Sequence, residues 1–211
     1  MTVDNFANVI AHCDFSDPND VYVFTVIRRR KDFPEEVRNA MRSNDERRLI
    51  RAFFCKSLDD VLQAEPIMRK MCEAFNARAY FLPQVRNQRA CLKELMKTLL
   101  DGMDNPCVNP NALMLHAFTA YHQSRAKRWV VDVDSDHTIT NDEKEALREY
   151  FEAVVGTNYW INYSKTGIHF ITEKFDSRNP FPDFAEKFPG LTVDIKKDGL
   201  TLVYYKDTYK M

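Results

Sequence analysis

The segment Trp129-Val130-Val131-Asp132-Val133-Asp134 constrains the fold of this chain more than any other stretch. Its β-branched and aromatic residues favour extended backbone, and alternate side chains of a strand share a face. Trp129, Val131 and Val133 are expected to face a core, leaving Asp132 and Asp134 together on the opposite side. Two carboxylates about 7 Å apart on one strand face repel each other unless a cation lies between them. That pattern suits one or two divalent metals. The bland reading is a strand running out into an acidic, water-facing turn.

The rest of the chain reads as short strands alternating with amphipathic helices. Strands are expected over 21–29, 48–56 and 77–84. Ser57, with Asp59 and Asp60 behind it, caps a helix reaching Phe75, and a second helix spans 88–100. Residues 101–111, with Gly102, Pro106 and Pro110, read as a hinge. A helix then starts with Pro110 at its first position and runs to about Lys127. Thr140 and Glu143 form a capping box for a helix that Gly156 ends. Segments 159–163 and 168–172 read as strands around a turn, and 191–195 and 200–205 as a hairpin closed by 196–199. The expected class is α/β (α+β), with an N-terminal α/β lobe at 1–101, a hinge at 102–111 and a second lobe at 112–211.

Composition narrows the partners. Thirty basic against 31 acidic residues give a net charge of −1, so any affinity for nucleic acid must come from local patches. Those patches are residues 28–31, Arg47 with Arg48 and Arg51, Arg78, Arg86 with Arg89, and Arg125 with Lys127 and Arg128. The five cysteines form no CxxC pair, which argues against a zinc ribbon and for scattered reduced thiols. Asp4, Asp14, Asp17 and Asp20 stand where a signal peptide would be basic and then apolar. The longest uncharged stretch, 105–124, is broken by two prolines and is no membrane span. The expected location is cytoplasmic, with no membrane partner.

Two further signals follow the acidic strand. In Ser164-Lys165-Thr166-Gly167-Ile168-His169 a turn with a hydroxyl, free N–H groups and a lysine could cradle a phosphate, with His169 emerging on the next strand. Asp194 interrupts the apolar strand Thr192-Val193-Asp194-Ile195. A competing pattern covers the first signal: Asp132, Asp134, Asp136, Ile139 and Glu143 fall at positions 1, 3, 5, 8 and 12 of an EF-hand calcium loop. His137 at the glycine position and a strand-like entry argue against it. A haloacid-dehalogenase phosphatase also uses an Asp-x-Asp strand, but with a longer domain after it.

In this order the three signals resemble the motifs of the archaeo-eukaryotic primase superfamily: acid-x-acid at Asp132 and Asp134, serine-then-histidine at Ser164 and His169, and hydrophobic-acid at Val193-Asp194. The resemblance implies an N-terminal α/β unit packed on a C-terminal RRM-like palm. It implies a template-dependent nucleotidyltransferase, a compact phage-like primase-polymerase working in a host cytoplasm, with Mg²⁺ or Mn²⁺ held by Asp132, Asp134 and Asp194. Ser164, Lys165, Gly167 and His169 would contact the nucleoside triphosphate. Arg78, Arg86 and Lys196 would supply phosphate or nucleic-acid contacts, with single-stranded DNA as template and a separate helicase as a further partner. The alternatives are a catalytically silent single-strand-binding replication factor that keeps this fold, and a calcium-binding protein through the loop from Asp132 to Glu143.

Overall fold

A computed structural model of the chain describes residues 1–41, 47–102, 110–120 and 124–208. They form a mixed α+β structure built on two antiparallel sheets. The first contains β1 (Thr2–Asp4), β2 (Asp20–Arg29), β3 (Arg47–Cys55), β4 (Arg78–Asn87) and β9 (Thr201–Lys206), in the order β1-β9-β4-β2-β3. The second contains β5 (Arg128–Ser135), β6 (Tyr159–Tyr163), β7 (Gly167–Glu173) and β8 (Leu191–Lys196), in the order β6-β7-β5-β8. Most expected elements are present within a few residues. The short elements β1, α1 (Phe6–Ala11) and α2 (Glu35–Ala40) were not expected, because three to six residues carry too little periodicity to read.

The helices cover the outer faces. On α3 (Leu58–Phe75), Val61, Met68 and Cys72 pack against Phe24, Val26 and Phe81 of the first sheet. Ser57 and Asp60 close the capping box at its start, and Asn76 ends it in the left-handed region at φ 44°. α4 (Gln88–Gly102) and α5 (Pro110–Thr119) flank the other face at its Val21, Val23 and Leu82 end. α6 (Asn141–Val155) lays Leu147 and Phe151 on Val131, Val133, Ile168 and Phe170 of the second sheet. The odd-numbered residues of β5 thus meet a helix, as their pattern implied. Its even-numbered face turns toward the first sheet, and Val130 joins that sheet's core cluster together with Trp160 and Ile171.

Three expectations change. Strands β8 and β9 are not a hairpin: β8 pairs with β5, whereas β9 crosses to the first sheet and pairs with β1 and β4. Their alternation reads the same either way; only the partner surfaces, both far off in sequence, decide. The two sheets are therefore not the halves on either side of 102–111, most of which lies outside the described residues. The helix from Pro110 stops at Thr119 instead of near Lys127, where the buried Arg86 guanidinium accepts the job of satisfying the final carbonyls.

Asn5 joins the sheets, donating from Nδ2 to the carbonyls of Tyr163 (2.8 Å) and Leu202 (2.9 Å) and accepting from Tyr163 N–H (3.2 Å). Of the cysteines, Cys55, Cys72 and Cys91 are buried, and burial pushes the Cys55 and Cys72 thiols up to about 12; Cys107 lies outside the described residues. No helix among the described residues is long and apolar enough to cross a membrane.

Candidate active site

Strand register assembles the site. Asp132 on β5 lies directly opposite His169 on β7 and opposite Asp194 on β8, and His169 in turn lies opposite Asn162 on β6. Directly opposed residues point to the same face, with Cβ atoms about 4.5–5.5 Å apart. Asn162, His169, Asp132 and Asp194 therefore form one row across the second sheet, and Asp134 stands on the same face two residues along. Asp132 and His169 of this row, together with Asp134, line a cleft of about 620 Å³ between the sheets. Asp132, Asp134, Ser164, Lys165, His169 and Lys196 line one wall; Ile27, Arg29, Arg47, Arg78 and Tyr80 line the other.

Asp132 is the most constrained acid. It is 7% exposed, and Lys196 Nζ donates to its Oδ2. Its Oδ1 lies 3.1 Å from His169 Nε2, but off the line of a hydrogen bond, so this buried oxygen has a charge contact and no donor. Burial pushes the Asp132 carboxyl up; His169 and Lys196 outweigh it and hold the group well below the usual carboxylate range. Nδ1 of the His169 ring meets Thr201 Oγ1 at 3.0 Å, and Asn162 Nδ2 donates to that hydroxyl at 3.1 Å. With the ring neutral, Thr201 donates to Nδ1, which fixes the tautomer through a residue of the other sheet. Thr201, in the last strand, carried no sequence signal.

The facing wall is crowded with cations. Arg78 is buried, and its Nε donates to Asp32 Oδ2 at 2.7 Å while Nη2 pairs with Oδ1. Lys165 Nζ reaches the same carboxylate at 3.7 Å and lies 5.1 Å over the Tyr205 ring. Asn76, the left-handed residue after α3, donates to the Asp32 carbonyl at 2.8 Å and so fixes the turn that carries this acid. Burial first, then the charges of Arg29 and Arg78, push the Lys31 ammonium down. Asp32 escaped notice in the sequence because it ends the basic run Arg28-Arg29-Arg30-Lys31.

Three expected site residues have other places. Arg86 is fully buried and donates to the carbonyls of Phe118 (3.2 Å) and Thr119 (2.9 Å), to Gln84 Oε1 (3.3 Å) and to Asp198 Oδ1 (2.8 Å). It ties α5 and the β8–β9 connection to β4 and is no phosphate contact. Gly167 is absent from the cleft lining; a Cβ there would meet Val133 O at 1.9 Å, so the glycine serves the close approach of β7 to β5. Asp194 stands exposed on the edge strand, beside the cleft lining. The calcium-loop pattern also fails. Its first two acids lie on a strand with no helix entering, and Glu143 accepts from Thr140 N–H (2.7 Å) within the cap.

Asp132, Asp134 and Asp194 offer hard oxygen donors on one face, and the donorless Asp132 Oδ1 suits a hard cation. The donor chemistry fits a divalent ion. As they stand the side chains do not enclose one: no three ligating side chains among the described residues gather round a point, and Lys196 occupies Asp132.

Fold and site together define an α+β protein whose inter-sheet cleft is lined by carboxylates and cations from both sheets. No family model, curated protein or solved structure matches the chain.

Proposed function

We propose that the chain is a template-dependent nucleotidyltransferase of the primase-polymerase type, with the first sheet, completed by β9, standing for the N-terminal unit and the second for an RRM-like palm. One observation carries this reading: the register that sets His169, Asp132 and Asp194 in a row, with His169, Asp132 and Asp134 lining a cation-rich cleft and Asp194 beside it. Asp132, Asp134 and Asp194 would hold Mg²⁺ or Mn²⁺, which supplies charge neutralisation and lowers the pKa of an attacking hydroxyl when bound. The chain's own part is positioning. Arg78 and Lys165, oriented by Asp32, offer fixed positive charge to a triphosphate. With the neutral ring accepting from Thr201 at Nδ1, the His169 proton lies on Nε2, from which it can be donated as a hydrogen bond to a phosphate oxygen. Ser164 closes the β6–β7 turn through its N–H to Gly167 O (2.9 Å), which brings Lys165 to the cleft.

A second reading, a silent single-strand-binding factor, draws on the opposed arginines Arg28/Arg48 and Arg29/Arg47 of β2 and β3. A primer-extension assay separates the two, with Mg²⁺ and Mn²⁺ tested apart and primer omitted in one lane. The enzyme reading expects metal-dependent incorporation that falls by ~10²-fold or more in Asp132→Asn and Asp194→Asn. Strand binding without incorporation in the wild type would sink it.

A further inference from the structure

Resting on the reading of Asp132, Asp134 and Asp194 as metal-holding carboxylates, we infer that Lys196 is the resident counter-ion of that row. It is held on Asp132 in the metal-free protein and released to a phosphate group in the cleft when a divalent cation binds. Strand β8 presents Asp194 directly opposite Asp132 and Lys196 one step along the same face, opposite Val130. The edge strand thus offers Asp132 an acid and an ammonium from neighbouring positions. Lys196 takes Oδ2, and the other oxygen of this buried carboxylate has no donor.

The pair is asymmetric. The Asp132 side chain is 8% exposed and cannot follow its partner, whereas the Lys196 side chain is 42% exposed and can leave without crossing a dry interior. Its stem is seated by Gly199, where a Cβ would meet Lys196 Cβ at 2.6 Å and Val130 Cβ at 3.1 Å. A dication on Oδ1 and the Lys196 ammonium on Oδ2 of the same buried carboxylate would lie only a few ångströms apart and repel each other strongly. The incoming ion therefore competes with Lys196 for Asp132. The freed ammonium stays in the cleft that Arg78 and Lys165 also line, where an anionic phosphate would be met. Metal and nucleotide binding become coupled through one side chain, and the coupling is reciprocal.

The test uses the full-length protein and Mn²⁺ as probe, with free ion followed by electron paramagnetic resonance and no nucleotide present. Lys196→Gln is expected to bind Mn²⁺ roughly three- to tenfold more tightly than wild type, with Lys196→Arg nearer the wild type. In saturating Mn²⁺ the order reverses for a fluorescent nucleoside triphosphate, which Lys196→Gln should bind roughly tenfold more weakly. Circular dichroism confirms that each variant is folded, and Lys196→Met carries the same expectation should the glutamine variant fail to fold. Wild type that binds Mn²⁺ with an affinity unchanged in Lys196→Gln would overturn the counter-ion role alone, as would unaltered nucleotide affinity. Absence of Mn²⁺ binding in every variant would overturn it together with the metal reading.

Discussion

At Gly167 the second strand of the β6–β7 pair passes so close to β5 that a methyl group would overlap Val133 O. Gly167→Ala is expected to cost roughly 1–3 kcal/mol, as forced overpacking does, and to shift Asp134, which pairs with residue 167. Urea denaturation of the variant checks the first part; a cost within error of zero would show that the strands can part freely. The sequence marks this glycine as the end of a turn; in the structure it opens β7. Its steric duty was illegible, because Val133 lies far away in sequence and becomes a neighbour only through pairing. Asp132 and Asp134 were legible as a same-face pair because strand alternation alone places them. Arg86 was misread for a similar reason: an arginine beside an apolar strand looks like an exposed contact until the helix that buries it is in place.

Among the elements, α6 has a cap whose chemistry is local and so could be read directly. Thr140 Oγ1 accepts from Glu143 N–H at 3.2 Å, and Glu143 returns the bond to Thr140 N–H at 2.7 Å. That backbone bond, then the one from His137, pushes the Glu143 carboxyl down to about 2. Because the folded pKa lies below the unfolded value near ~4.3, this contribution is complete above that value and is lost as pH falls from about 4 toward 2. The stability gap between wild type and Glu143→Gln should therefore narrow over that window, as measured by urea midpoints at stepped pH. A gap constant from pH 5 to 2 would mean the carboxylate charge is not what supports the cap. Thr140→Ala should cost about 1 kcal/mol at neutral pH. Strands β8 and β9 illustrate the opposite case, since nothing within either strand records that it belongs to a different sheet from its neighbour.

For the whole molecule, β9 is the critical piece. It lies between β1 and β4 in the first sheet and carries Thr201, the partner of His169, so the end of the chain completes both the sheet and the site. A fragment of residues 1–101 lacks that strand and exposes the facing edges of β1 and β4. It should show no cooperative unfolding transition by circular dichroism; a sharp transition would establish an autonomous N-terminal domain. The cleft's mouth makes a second prediction. Like charges placed directly opposite each other on paired strands are unfavourable, yet Arg28 faces Arg48 and Arg29 faces Arg47, with Arg29 and Arg47 lining the cleft. Under the proposed function a single strand of nucleic acid relieves this repulsion. Binding of an oligothymidylate, followed by fluorescence anisotropy, should weaken with salt, and Arg47→Gln with Arg48→Gln should reduce the log–log slope by roughly 0.7 per lost phosphate contact. Equal slopes in variant and wild type would place the strand elsewhere.

The sequence by itself determined what short-range physics controls: the alternation that makes β5 a strand with two acids on one face, the N-cap at Ser57, the capping box at Thr140, and the mixed α+β class. Tertiary structure alone decided which strands pair, because pairing depends on surfaces distant in the chain and a strand's alternation is blind to its neighbour. That choice sent β9 to the first sheet and aligned Asp194 and His169 with Asp132. It also put Asp32 beneath Arg78, sealed Arg86 away from solvent, and set Lys196 on the carboxylate that a metal would need.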